Sequence, residues 1–250
     1  MKDDRTYFGF EEVSFSEKTK RVESLFSDVA DHYDLMNDLM SFGMHRLWKK
    51  SFVHRLPLTE GQKILDGAGG TGDIAFQIKK SYAHRNLEIV ICDLTFDMVQ
   101  KGRDRALNYG LIEGLQWCCG NAEELPVPEN SFDLYTNVFG MRNIGNRSKA
   151  LKEAWRVLKP GGAFFCLEFS HVDSVYLAKA YDFYSFQALP LIGRWVAKDQ
   201  EAYQYLAESI RTFPHQKKWQ EEIQQAGFQK TQYENWMGGI LALHWGYKAV

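Results

Sequence analysis

The apolar positions change period along the chain. Residues 1–20 are polar and mixed and predict a loose lead-in. From 21 to 55 the spacing is helical. Val22, Leu25, Phe26 and Val29 form one stripe, Leu35, Leu39 and Met40 continue it, and Trp48, Phe52 and Val53 follow on a basic helix. Short apolar runs then take over. Lys63-Ile64-Leu65, Leu87–Cys92, Leu115–Cys118, Phe132–Val138 and Ala163–Phe169 predict five strands. Helices are predicted between them: one around Ile74, Ala75 and Ile78, one over Asp97–Asn108, and one over Lys149–Leu158. The last is stopped by Lys159-Pro160-Gly161-Gly162. This alternation predicts an α/β fold, a mostly parallel sheet with helices on both faces. Residues 171–212 read as a helical, aromatic-rich insertion, and Phe228–Asn235 and Ile240–Tyr247 as closing strands. The chain reads as a single domain over 1–250, with a helical N-terminal lid at 1–55, a ligand-binding core at 60–170, and further helices and strands at 171–250.

Composition narrows the function classes. Hydrophobic residues make up 45% and charged residues 25%, the balance of a globular chain with a full core. Thirty basic residues against 32 acidic ones give a net charge of −2, which carries no footprint for nucleic acid. Cys92, Cys118, Cys119 and Cys166 form no CxxC pair, so no metal site is expected and free thiols in a reducing, cytoplasmic setting are. The N-terminus has no apolar signal region, and no apolar run reaches the roughly 20 residues of a membrane span.

The candidate chemistry starts at Asp66-Gly67-Ala68-Gly69-Gly70-Thr71-Gly72-Asp73. The glycines match G-x-G-x-x-G, and Asp93 stands 21 residues past Gly72 (93 − 72), the arrangement of a dinucleotide site. Asp66 argues otherwise. A carboxylate directly before the loop opposes a pyrophosphate, whereas S-adenosylmethionine has no phosphate and carries a sulfonium and an amino group. Asp66, Gly70 and Thr71 are therefore read as cofactor contacts, against the alternative of a tight turn with no ligand. Asp93, ending the second core strand, is placed to accept both ribose hydroxyls; its other reading is a helix N-cap. Asn121 offers an amide to an adenine edge and Ala122 leaves room for the ring, where the other reading is an ordinary polar loop.

The chain resembles the ubiquinone/menaquinone-biosynthesis C-methyltransferase family from about Phe8 to Tyr247. The glycine loop and Lys159-Pro160-Gly161-Gly162 are shared with many methyltransferases. Tyr33-Asp34-Leu35-Met36-Asn37-Asp38, Phe139-Gly140-Met141-Arg142-Asn143 and Tyr205-Leu206-Ala207-Glu208-Ser209-Ile210 are far more specific. The resemblance implies a Rossmann-like class I methyltransferase fold of about seven strands with an inserted antiparallel strand, and a helical insertion after strand five. It implies methyl transfer from S-adenosyl-L-methionine to a ring carbon of a polyprenylated benzoquinol, with demethylmenaquinol as a further acceptor. Thr71, Asp93, Asn121 and Ala122 carry over as cofactor contacts. A homodimer, a quinone-biosynthesis complex and peripheral contact with the inner membrane are family-level expectations.

Within that reading, Arg142 is assigned to stabilise a developing phenolate or position a water, and Asn143 to orient the quinol oxygen. The alternative is a structural arginine paired with an acid. Tyr33 is assigned to close over the cofactor, and Tyr181, Asp182 and Tyr184 to line a quinone channel; capping and core packing are the bland readings. His45 is either a proton carrier or structural. Two positions depart from the family pattern. Gly67 replaces an apolar residue, which predicts a lost buried side chain worth about 1–3 kcal/mol and a looser loop. Val138 replaces a small hydroxyl residue and removes a side-chain hydrogen bond to the cofactor. The competing functions are a methyltransferase for another substrate, an NAD-dependent oxidoreductase, and a non-catalytic scaffold.

Overall fold

The computed structural model describes residues 4–29, 37–38, 41, 43–172 and 200–250. Tyr33, Asp34, Tyr181, Asp182 and Tyr184 lie outside the described residues.

Residues 4–20 depart from expectation. They form a hairpin, β1 (Arg5–Phe8) and β2 (Glu11–Ser14), and the start of a helix, α1 (Phe15–Val29). The two-residue turn uses Gly9 at φ 59°, a conformation glycine adopts without steric cost. Ser14 caps α1 by accepting from the Glu17 amide at 3.2 Å, a Ser-x-x-Glu signature present in the sequence. Arg21 then ties helix to hairpin through Glu11 at 2.6 Å.

Next come α2 (Met44–Arg55), β3 (Lys63–Gly67), α3 (Asp73–Ser81), β4 (Glu88–Asp93), α4 (Phe96–Asn108), β5 (Leu115–Cys119), β6 (Phe132–Val138), α5 (Arg147–Val157) and β7 (Leu158–Phe169). After the undescribed segment follow α6 (Gln200–Thr212), α7 (Gln216–Gln225), β8 (Gln229–Trp236) and β9 (Leu241–Tyr247). The expected strands are present within a residue or two of their predicted ends, except that β7 starts at Leu158 and contains the Lys-Pro-Gly-Gly turn. Helix α7 is absent from the apolar pattern because its sequence is mostly Gln, Glu and Lys. Only Trp219 and Ile223, four apart, mark its buried face.

Seven strands form one sheet in the order β5-β4-β3-β6-β7-β9-β8. The first five run parallel, and β9 inserts antiparallel between β7 and β8. Alternate residues feed the two faces. Ile64, Ile89 and Ile91 face a core shared with Phe52 and Val53 of α2 and Ile74 and Ile78 of α3. Leu65, Val90, Tyr135 and Phe164 face the opposite core, closed by Leu151 of α5 and by Trp219 and Ile223 of α7. Burial on both faces explains why these strands read as continuous apolar runs.

Gly67 leaves no void. Leu65 and Tyr135 are register partners on β3 and β6. The fully buried Tyr135 reaches along β3, so that a Cβ on Gly67 would overlap its hydroxyl and ring. The expected loss of a buried side chain is corrected: a tyrosine from the neighbouring strand occupies that space. Gly67→Ala is expected to destabilise by about 1–3 kcal/mol through overpacking. Gly67→Ala/Tyr135→Leu should recover most of that loss in urea unfolding, whereas a stabilised single variant would show that the position is underfilled.

Candidate active site

Parallel strands β3, β4 and β6 end side by side, and their loops meet at the carboxyl edge of the sheet, where open α/β sheets hold ligands. A solvent-open cleft lies there, enclosing about 710 Å³ of space that is continuous with bulk solvent. Asp93, Asn121 and Asn143 supply polar groups; Leu94, Met98 and Phe139 supply apolar wall. Helix α1 closes one side with Thr19, Val22 and Phe26, so part of the N-terminal segment faces the cleft.

The glycine loop is fixed by its own backbone. The Gly69 amide donates to the Cys92 carbonyl at 3.1 Å and the Gly72 amide to the Gly69 carbonyl at 3.0 Å. The Gly70 amide donates to Asp93 Oδ2 at 2.8 Å. These three amides are committed within the protein and are not offered to a pyrophosphate, which weighs against the dinucleotide reading. Asp93 Oδ1 accepts from the Thr95 amide at 2.9 Å. Each carboxylate oxygen keeps a second acceptor site, so Asp93 can still take ribose hydroxyls. It thus serves as loop anchor while lining the cleft. Asn121 Oδ1 accepts from the Glu123 amide at 2.8 Å, leaving its NH2 group to donate. Ala122 lies beside it on the cleft wall.

Asp66 and Thr71 sit one step deeper, on a cavity of about 340 Å³ that shares Ala68, Gly70 and Val138 with the main cleft. Asp66 is 1% exposed. Thr136 donates to its Oδ1 at 2.8 Å, and its Oδ2 has no hydrogen-bond partner among the described residues. Burial raises its carboxyl to about 7, with Asp93 and Asp73 adding to the effect and Thr136 and Lys49 opposing it. Asp73 behaves oppositely: Lys49 at 2.6 Å and Arg105 at 3.0 Å hold it at about 2, so its charge is already neutralised. Arg105 also donates to the Thr71 hydroxyl, which turns that side chain toward α4.

Asn137 is the site residue that sequence reasoning missed. It is fully buried, and its Nδ2 donates to the Gly67 carbonyl at 2.7 Å. Its Oδ1 accepts from the amides of Gly140 and Met141 at 3.2 and 3.0 Å. One side chain thus ties the glycine loop to the loop after β6. The signal was an amide near the carboxyl end of a buried strand, next to Thr136. Ala68 (φ 53°) and Phe139 (φ 61°) hold left-handed backbone on either side of this tie, a strained geometry that surrounding contacts must sustain.

Arg142 and Asn143, adjacent in sequence, point to different places. Asn143 lines the cleft, and its Oδ1 accepts from the Tyr205 hydroxyl at 3.1 Å. Arg142 is 5% exposed and is not among the residues lining the cleft. Its guanidinium pairs with Glu168, itself 1% exposed, at 2.8 Å and donates to the Phe139 carbonyl at 2.5 Å. This is the structural reading of Arg142. The pair anchors the Phe139–Asn143 loop to β7, so Arg142 positions Asn143 rather than reaching the cleft. His45 is likewise held away from the cleft, with Nε2 at 2.8 Å from Asp38, and burial lowers its pKa.

Two outcomes follow. Glu168→Ala leaves a buried, unpaired guanidinium and is expected to cost about 3–5 kcal/mol in urea unfolding. The unfolded chain releases the Asp66 proton near pH 4, whereas the folded chain keeps it to about 7. Stability contributed by this group therefore falls as pH rises from about 4 to about 7 and is level above that. Unfolding measured across this range should show a flatter profile for Asp66→Asn than for the parent.

Comparison with known proteins agrees with this geometry. Residues 14–248 match the model of the ubiE/COQ5 methyltransferase family. The ubiquinone/menaquinone biosynthesis C-methyltransferase UbiE of Rickettsia akari is 48% identical, aligning 96% of this chain and 98% of that protein. The mitochondrial 2-methoxy-6-polyprenyl-1,4-benzoquinol methylase of Xenopus laevis is 44% identical, aligning 97% and 89%. Among solved structures, a SAM-dependent methyltransferase of Thermotoga maritima superposes with a TM-score of 0.63 at 20% identity, covering 90% of this chain and 99% of that one. The latter likeness concerns the fold. The seven-stranded sheet with its inserted β9 is that of class I methyltransferases, and the chain belongs to the ubiE/COQ5 methyltransferase family.

Proposed function

We propose that this chain transfers the methyl group of S-adenosyl-L-methionine to a ring carbon of a polyprenylated benzoquinol of the 2-methoxy-6-polyprenyl type, and to demethylmenaquinol as a second acceptor. The observation that carries this reading is family membership across residues 14–248, together with a cleft that sets Asp93, Asn121 and the glycine loop around one ligand-sized space. The scaffold alternative is disfavoured by the intact Asp66, Asp93 and Asn121 on those walls.

When bound, S-adenosylmethionine would supply an electrophilic methyl on its sulfonium; the bond from sulfur to methyl breaks as the bond from ring carbon to methyl forms, and the ring proton passes to solvent. The residues divide the work of holding the cofactor. Asp93 takes the ribose hydroxyls, the Asn121 amide takes the adenine edge, and Ala122 and Met98 border the ring. Asp66, Gly70 and Thr71 border the methionine end, where the unpaired Oδ2 of Asp66 suits the cofactor's ammonium group. Val138 contributes an apolar wall and its backbone. On the acceptor side, Asn143 orients the quinol oxygen, with Tyr205 fixing the rotamer of its amide. The apolar wall excludes water from the sulfonium, and the alignment of the two reactants provides much of the rate. Tyr33, Tyr181, Asp182 and Tyr184 remain proposed as lid and quinone-side residues. Peripheral contact with a membrane is proposed on the chemistry of the acceptor alone, since a polyprenyl tail partitions into lipid. Among the described residues no helix is long and apolar enough to cross a bilayer.

The test is transfer of labelled methyl from S-adenosylmethionine to a short-chain demethylated benzoquinol, with demethylmenaquinol in parallel. Label on the ring carbon, and its loss in Asp93→Ala with at least a roughly tenfold weaker cofactor affinity, is the expected result. Cofactor binding without transfer to either quinol would overturn the acceptor assignment. The charge of Asp66 adds a second readout. Ionised Asp66 favours the cationic cofactor, so affinity should rise as pH climbs to about 7 and then level, with a shallower rise in Asp66→Asn.

A further inference from the structure

A second concentration of charge lies outside the cleft, on the far side of the Arg142 that positions Asn143. It is an open cavity of about 630 Å³ between β1, the start of α1, the Met141–Asn143 turn, the start of α5 and the corner joining α6 to α7. Its walls carry Arg5, Lys18, Arg142, Arg147 and Lys218, and among the described residues none that lines it is acidic.

The counter-charges around it fall short. Arg142 pairs with Glu168 at 2.8 Å, Arg147 with Glu222 at 3.3 Å, and Arg5 with Glu12 at 3.4 Å on the surface. Lys218 forms no ion pair among the described residues. Lys18 is buried and gives its ammonium to a neutral acceptor, the Arg142 carbonyl, at 2.8 Å. Five basic side chains against three paired carboxylates leave Lys18 and the exposed Lys218 without a carboxylate partner among the described residues. Burial, and after it Arg147 and Arg142, lower the Lys18 ammonium to about 7, while Glu123 and Glu168 act in the other direction. The buried Nε of Arg142 also has no hydrogen-bond partner among the described residues. At the rim, α7 begins next to Lys218 and turns its positive end toward the corner. Thr6 and Tyr7 add hydroxyl groups.

We propose that this cavity binds an oxyanion of the phosphate class. A bound anion keeps the Lys18 ammonium protonated, and with Lys218 it then offers two cations without carboxylate partners among the described residues, a better match to a phosphate dianion than to a single carboxylate. Donors arriving from five separate segments suit a tetrahedral group with oxygens in several directions, and charge-assisted hydrogen bonds of this kind are the strong ones. The same chemistry is offered by a free phosphate ester and by the headgroup of an anionic phospholipid. The site does not depend on the methyl-transfer reading: none of its lining residues also lines the cleft.

Titration calorimetry of the full chain with inorganic phosphate, at constant ionic strength set by chloride, tests the site. Saturable one-to-one binding is expected. Arg5→Gln/Lys218→Gln, which changes two exposed or rim side chains, should weaken it by roughly tenfold or more while S-adenosylmethionine affinity stays unchanged. No saturable binding, or equal phosphate affinity in the double variant, would overturn the proposal. Co-sedimentation with phosphatidylcholine vesicles, with and without phosphatidic acid, then separates the two sources. Binding to the phosphatidic acid vesicles that inorganic phosphate displaces and the double variant loses assigns a lipid headgroup. A chain that binds phosphate and ignores both vesicles has a site for a soluble phosphate ester.

Discussion

A carboxylate buried at the end of the central strand constrains everything around it. Asp66 has one oxygen satisfied by Thr136 and the other with no partner among the described residues, in a site that water barely reaches. Burying an acidic group this way costs free energy unless it is paired or protonated. The neighbouring cation, Lys49, is committed to Asp73. The site is therefore built so that a cationic ligand relieves a cost already present in the empty protein. That is a physical basis for preferring a sulfonium-bearing cofactor to a dinucleotide, and it operates before any contact with the adenosine end is made.

The loops that flank Asp66 are held by a small number of buried polar groups. Asn137 spans the glycine loop and the loop after β6, and the Arg142–Glu168 pair fastens the latter to β7. Such groups are costly to leave half-satisfied, and their value lies in defining one geometry. The left-handed backbone at Ala68 and Phe139 is the strain this network sustains. Asn143 inherits its position from it: an anchored arginine on one side and Tyr205 on the other place its amide in the cleft. The Phe-Gly-Met-Arg-Asn segment is thus a structural clamp whose last residue reaches the cleft.

The Gly67–Tyr135 pair shows the same economy in the apolar core. A small residue on β3 and a large one on β6 share a volume that either strand alone would misjudge. Close packing makes the two positions one variable, and a glycine judged by itself reads as a cavity it does not leave.

The amino-acid sequence by itself determined the order of strands and helices, the parallel character of the sheet, and the positions of Asp66, Asp93, Asn121 and the glycine loop. These follow from local quantities: apolar period, chain-breaking residues, and an acid or amide at the end of a strand. Three matters were decided only in the folded molecule. The hairpin at Arg5–Ser14 and helix α7 are stabilised by contacts with distant segments, as in the Phe10 amide reaching Glu208, so their polar sequences carry a weak periodic signal. Which of Arg142 and Asn143 faces the cleft depends on Glu168 and Tyr205, 26 and 62 residues further along the chain. The third is charge: whether Asp66, Asp73 or Lys18 is relieved or stranded depends on how much water reaches it and which charges pack beside it. Dielectric environment is a property of the packed interior, and no linear pattern of residues encodes it.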